Sequence, residues 1–253
     1  MCTNFTPWQL DKLLRALKMP FTLEQFPRET WPMFRAPMLR TAAEVEAMTV
    51  PNLVTLDRDQ FRVDIGHFGL IPYWVKPEDL HKRRNTQNAR SETIAELVSY
   101  KSAWQRCQFA LIPMENFFEP YYGPERKNDR SVRWEIYRKD RQVFTVAAIW
   151  SEWTNRKTGE VLLSYSLITI NADHHPIMKQ FHKAGDEPRS LVVIPPEQRT
   201  AWVTQTDPLA ARAFLREMPV DEFDSGPAPL PPRSPKKQAG AVNASDDDAA
   251  TPD

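Results

Sequence analysis

The feature that most narrows what this chain can fold into is a succession of strand-like runs without a regular helix between each pair. Runs rich in Val, Ile, Phe, Tyr and Trp fall at residues 61–71, 108–113, 132–137, 143–150, 161–170 and 191–194. Residues 155–159 read as a hairpin turn joining two of them. Helical patterns fit 91–105, 173–183, 196–204 and 208–218, which is not the strand-by-strand alternation of a parallel α/β sheet. The expectation is an α+β fold, with a curved, mainly antiparallel sheet or barrel and flanking helices.

The two ends read differently. Thr6-Pro7-Trp8-Gln9 has the form of a capping box with Pro at the first helical position, followed by an apolar stripe at Leu10, Leu13, Leu14 and Leu17. Residues 21–60 are Pro-rich, and Trp31-Pro32 and Ala36-Pro37 suggest extended loop. Near Ser225 the composition shifts. Residues 225–253 hold six of the 23 prolines, no aromatic residue, and only Leu230 and Val242 as larger aliphatics. Such a stretch buries too little apolar surface to offset its ordering entropy, so it reads as a flexible tail behind one domain, residues 1–224.

Charge and cysteine count bound the function. With 33 basic and 33 acidic side chains, bulk charge does not mark a nucleic-acid coat. A local surplus is compatible with zero overall, and residues 81–106 hold six Lys/Arg against two Glu. No apolar run approaches the ~18–20 residues of a membrane span, and no basic-then-apolar leader opens the sequence. A cytoplasmic protein without membrane contact is expected. Two cysteines make neither a disulfide framework nor a four-cysteine zinc site. His174-His175 has no Cys or carboxylate at zinc-ligand spacing, so no metal is expected.

Position matters more than number for one cysteine. Removal of Met1 ahead of a small residue would leave Cys2 with an α-amine and a thiol on adjacent carbons. In model peptides these titrate near ~7.7–8 and ~8.5, so both have reactive fractions close to neutrality. A 1,2-aminothiol forms a Schiff base with an aldehyde and then closes a thiazolidine ring through sulfur. Acyl transfer, with the amine as base for its own thiol, is the other use. Cys107, at the start of a strand-like run, reads as a small core residue.

Supporting groups lie far apart in sequence. In Asn88-Ala89-Arg90-Ser91-Glu92-Thr93, Ser91 could cap a helix, leaving Asn88 and Arg90 on the loop before it, a natural anion site. Glu119, inside Asn116-Phe117-Phe118-Glu119-Pro120-Tyr121-Tyr122, is either at an exposed strand end or a buried proton shuttle. His182 falls at the end of an expected helix and is a candidate acid/base.

Together, Cys2, the 88–93 segment, Phe117-Phe118-Glu119, Thr169 with Ala172-Asp173, and His182 occur in the order seen in the SOS-response-associated peptidase (SRAP) family, which the chain resembles from residue 2 to about 204. Gly69-Leu70-Ile71-Pro72-Tyr73-Trp74 and Ala147-Ala148-Ile149-Trp150 are similar to that family's core segments. The resemblance implies a protein that recognises abasic sites in single-stranded DNA and traps the ring-opened aldehyde as a thiazolidine, with no cofactor. It implies Cys2 as nucleophile, Asn88 orienting its amine, Glu119 shuttling protons, and His182 as acid/base that also assists crosslink reversal. Arg90 would clamp a phosphate, Trp74 would stack on a base, Pro37 would wedge beside the lesion gap, and Arg84 would add a DNA contact. Loss of Met1 by self-processing or by another enzyme, a monomeric state, and nucleoid association on damage complete the expectation. The chain departs from the family pattern in Cys2-Thr3-Asn4 where Cys-Gly-Arg is common, in Pro120 after the Glu, and in Lys183-Ala184-Gly185-Asp186-Glu187-Pro188-Arg189 after His182.

Two other classes compete. An N-terminal-nucleophile hydrolase such as a glutamine amidotransferase also begins Met-Cys, but typically continues Gly-Ile with Gly-rich substrate loops. A non-catalytic single-strand-binding module would not need Cys2, Asn88, Glu119 and His182 together.

Overall fold

The computed structural model describes residues 2–16, 26–41, 61–82 and 85–230. Among these, eleven strands share one sheet. They are β1 (Asn4–Pro7), β2 (Arg35–Thr41), β3 (Phe61–Phe68), β4 (Asn88–Arg90), β5 (Phe109–Tyr121), β6 (Val132–Arg138), β7 (Phe144–Thr154), β8 (Val161–Asn171), β9 (Arg189–Leu191), β10 (Val193–Ile194) and β11 (Phe223–Pro227). The helices are short: α1 (Leu10–Ala16), α2 (Lys101–Gln105) and α3 (Arg199–Val203). β5, β7, β8, β3 and β2 pair in turn, and β2 returns to β5 through Leu39↔Leu111, closing a five-stranded barrel. Only β3 and β4 run parallel to β8; every other pairing is antiparallel. The expected α+β architecture is what the chain forms.

The barrel wall is covered on both faces, which explains near-continuous apolar runs in place of alternation. Ala110, Ile112 and Met114 of β5 join Val146, Ala148 and Trp150 of β7 in one core, with Phe68 and Tyr165. Their alternates Phe109, Leu111, Ala147 and Ile149 join the other, beneath Trp104 of α2 and Trp202 of α3. The Trp202 indole donates to the Ala110 carbonyl at 2.9 Å, so a large buried side chain leaves no polar atom stranded. At Gly66 a Cβ would meet Tyr165 Cδ1 at 3.0 Å and Met38 Sδ at 3.1 Å, so any side chain there would press these two to shift.

Several local expectations give way to tertiary contacts. Thr6-Pro7 ends β1 and caps no helix, because Asn4–Pro7 is buried by pairing with β5; α1 begins at Leu10. Leu10 and Leu13 are buried, whereas Leu17 lies outside the described residues. Ala36-Pro37 is part of β2, not loop. Residues 91–100 form successive turns, and only 101–105 become helix. The Ser91 N–H is taken by the Thr169 carbonyl of β8, so it opens no helix. In 173–183 a single 3-10 turn, Met178–Gln180, replaces the expected helix. Here the buried His175 ring accepts the N–H groups of Ile177 and Met178 at 3.1 Å, competing with helical bonds. Likewise 208–218 yields the 3-10 turn Ala210–Phe214. Cys107 is half-buried with φ 52° in the turn before β5, at the edge of the second core against which it packs. β11 runs through residue 227, and Ala228 N–H donates to the Arg133 carbonyl, so the fold passes residue 224; residues 231–253 of the expected tail lie outside the described residues. Among the described residues no helix is long and apolar enough to cross a membrane.

Candidate active site

β1 is the arm that delivers Cys2. Its antiparallel register, Asn4↔Phe118 and Phe5↔Phe117, sends the preceding residues alongside Glu119 and Pro120. The arm is fastened at Asn4, whose side-chain oxygen accepts Arg133 Nη2 at 2.7 Å and whose amide donates to Glu29 and to the Thr30 carbonyl at 3.2 Å. The Arg133 guanidinium also packs 3.3 Å over the Phe118 ring. Asn4, where the family often has Arg, thus serves as a structural clasp. Cys2 itself is only 1% exposed. Burial pushes its thiol well above the ordinary range, and the charge of Glu119 adds to the effect.

β4 brings the second group. The Asn88 amide Nδ2 donates to the Cys2 carbonyl oxygen at 2.7 Å. Its Oδ1 is buried and has no partner among the described residues. Asn88 and Arg90 sit on this strand, paired with Leu167 and Thr169 of β8, and not on a loop before a helix. The expected helix-dipole anion site is therefore corrected: no helix starts there. The two-residue period places both side chains on one face of β4.

β5 and the segment after Met178–Gln180 supply an acid–base pair. Glu119 is 3% exposed, which decides between its two expected settings in favour of burial. That burial raises its carboxyl above the usual value, with the positive chain terminus opposing. His182 Nε2 lies 3.2 Å from Glu119 Oε2. Burial, the positive terminus and the Arg126 guanidinium push the imidazole down to about 3. The imidazole is therefore neutral at neutral pH and faces a buried carboxyl whose proton affinity is raised. His182 ends no helix; it has φ 65° and donates its N–H to the Pro120 carbonyl at 3.1 Å, beside Glu119.

The expected DNA contacts fare unevenly. Arg90 is exposed and bonded through Nη1 to Glu187 Oε2 at 2.7 Å. Trp74 is 48% exposed and Tyr73 67%, on a turn closed by Val75 N–H to the Pro72 carbonyl. The buried Trp153 indole holds that turn by donating to the Val75 carbonyl at 2.7 Å. Pro37 is buried within β2 opposite Ile65, so it presents no exposed wedge; the pairing that buries it is the β2–β3 ladder. Arg84 lies outside the described residues. Arg189 is buried and bonded to Glu92, Glu187 and the Thr169 carbonyl. Among the described residues no three His, Cys, Asp or Glu side chains gather as a metal site.

Two participants were not singled out by sequence. Glu187 is visible only once Arg90 is in place. Tyr165 hides inside an apolar strand run; its hydroxyl is buried without a partner among the described residues. Burial, then the charge of Cys2, raises it well above the ordinary tyrosine range.

Comparisons with known proteins bear on the family and the fold. A family model for SOS response associated peptidase (SRAP) matches residues 10–228, with Cys2 just ahead of the matched span. The chain is similar to the abasic site processing protein HMCES of Rattus norvegicus, 32% identical over 137 residues, and of Gallus gallus, 30% over 124. Each match covers 42% of this chain and 36% of the relative, so the chain spans about a third of their length. A crystal structure of a Bordetella bronchiseptica protein superposes with TM-score 0.74 at 27% identity, covering 90% of this chain and all of that one. A Bacteroides thetaiotaomicron protein shares the fold at TM-score 0.66 and 19% identity, covering 88% and 90%. With the family model matched over most of its length, the chain belongs to the SOS response associated peptidase family.

Proposed function

We propose that this chain processes abasic sites in single-stranded DNA by forming a thiazolidine crosslink through Cys2 after loss of Met1. The observation that carries this reading is the convergence of Asn88 on the Cys2 backbone and of His182 on Glu119, in one buried site at the amino terminus. The similarity to HMCES proteins, named for abasic site processing, supports the substrate class.

The chemistry follows from the groups present. A protonated Glu119 gives its proton to the ring oxygen while neutral His182 takes the proton of the C1′ hydroxyl, so the abasic sugar opens to its aldehyde, and the proton then returns from His182 to Glu119. The Cys2 amine, held by Asn88 Oδ1, adds to C1′, and water leaves as the Schiff base forms. The thiol sulfur then bonds C1′ while its proton passes, by way of neutral His182, to the imine nitrogen. One water is lost overall. Reversal runs through the same acid–base pair. Arg90 holds a neighbouring phosphate and Trp74 stacks on a base. The protein acts as a monomer in the cytoplasm, joins the nucleoid on damage, and removes Met1 itself.

Incubating the purified chain with an abasic oligonucleotide and running a denaturing gel tests this reading. A shifted covalent band is expected. Glutamine hydrolysis without a band would favour an amidotransferase, and reversible binding alone a passive binding module.

A further inference from the structure

We infer that Arg126, on the loop between β5 and β6, is a positioning residue that fixes His182 against Glu119. Its guanidinium donates through Nε to the His182 carbonyl at 3.0 Å and through Nη2 to the carbonyls of Lys183 and Asp186 at 2.8 Å. Its own carbonyl accepts the Ala184 N–H at 2.9 Å. Four bonds thus tie the segment after His182 to one residue.

The need for such a clamp is local. His182 has φ 65°, a left-handed conformation that strains a non-glycine residue. Its N-terminal side is secured by the Tyr121↔Phe181 bridge and by its N–H to Pro120. On the C-terminal side, Arg126 supplies what keeps the backbone from relaxing and swinging the imidazole off Glu119. A planar fork bonding three carbonyls suits arginine and not lysine. The charged groups around the imidazole are Glu119 from β5, the terminus ahead of β1, Arg126, and Lys183 next door, whose Nζ lies 5.4 Å from the Tyr122 ring centroid.

The inference rests on His182 being the acid/base of the proposed reaction, and its test separates the two claims. Imidazole NMR titration of the full chain reads positioning without DNA. Arg126→Ala is expected to raise the His182 midpoint, since removing a nearby positive charge favours the imidazolium, and to broaden its signal. Arg126→Lys should restore the midpoint and leave the broadening. Single-turnover crosslinking of an abasic oligonucleotide should slow about tenfold in Arg126→Ala. In a His182→Asn background the same change should add less than about twofold, as expected for residues acting as a unit. An unchanged midpoint and line width, or equal slowing in both backgrounds, would overturn the inference. A wild-type protein that forms no crosslink would sink the proposed chemistry, while the NMR arm still decides the role of Arg126.

Discussion

Asn88 and Cys2, 86 residues apart in sequence, meet through a 2.7 Å bond from the Asn88 amide to the Cys2 carbonyl. Because a carbonyl only accepts, this bond fixes the amide orientation and leaves Oδ1, buried and without a partner among the described residues, as the acceptor the proposed reading assigns to the Cys2 amine.

Asn88→Ala is expected to leave a buried carbonyl without its donor, at a cost of roughly 1–3 kcal/mol. The variant should unfold at lower temperature and crosslink more slowly. Asn88→Asp cannot donate to that carbonyl and should share the defect. Thermal melts and adduct rates check both, and a wild-type rate in either variant would show that Asn88 does not orient the nucleophile.

The pH dependence of stability has a definite sign. His182 is depressed to about 3, below an unfolded value of about 6.5, so its contribution is full above ~6.5 and is lost as pH falls toward 3. The wild-type melting temperature should therefore drop more steeply on acidification below ~6.5 than that of His182→Asn, a residue that tolerates left-handed backbone. Parallel curves would mean that the imidazole titrates normally in the folded protein.

Four of the five barrel wall strands were legible because they are long and apolar, whereas β2, interrupted by Pro37, read as loop, and β1 and β4 gave no signal. β4 has three residues and β1 four, and neither carries a periodic pattern; each exists through its pairing with β8 or β5. The 173–183 helix failed because His175 takes up the backbone N–H groups that would have extended it. Asn88, Glu119 and His182 could be singled out from their sequence settings and the family resemblance, and the fold brings them together. Glu187 on Arg90 and the Arg126 clamp join segments 97 and 56 residues apart, and no local rule pairs them.

Glu187 occupies the guanidinium that the reading assigns to a phosphate. Glu187→Gln should tighten single-stranded DNA binding, by up to about fivefold for a partly exposed pair worth ~0–1 kcal/mol. Arg90→Ala should weaken binding and reduce the log–log salt slope by ~0.7 for one lost single-strand phosphate contact. With Arg90 already removed, Glu187→Gln should have little effect. Binding curves across salt concentrations read all three, and an unchanged slope in Arg90→Ala would make Arg90 structural.

The most direct measurement is the mass of the peptide that carries the DNA adduct. After crosslinking to an abasic oligonucleotide and digestion of both polymers, the account predicts a peptide beginning at Cys2, without Met1, heavier by the sugar remnant less one water. Its thiol should resist alkylation because sulfur is bonded in the ring, and Cys2→Ala should give no adduct. An adduct elsewhere in the chain, or an undiminished yield from Cys2→Ala, would contradict it.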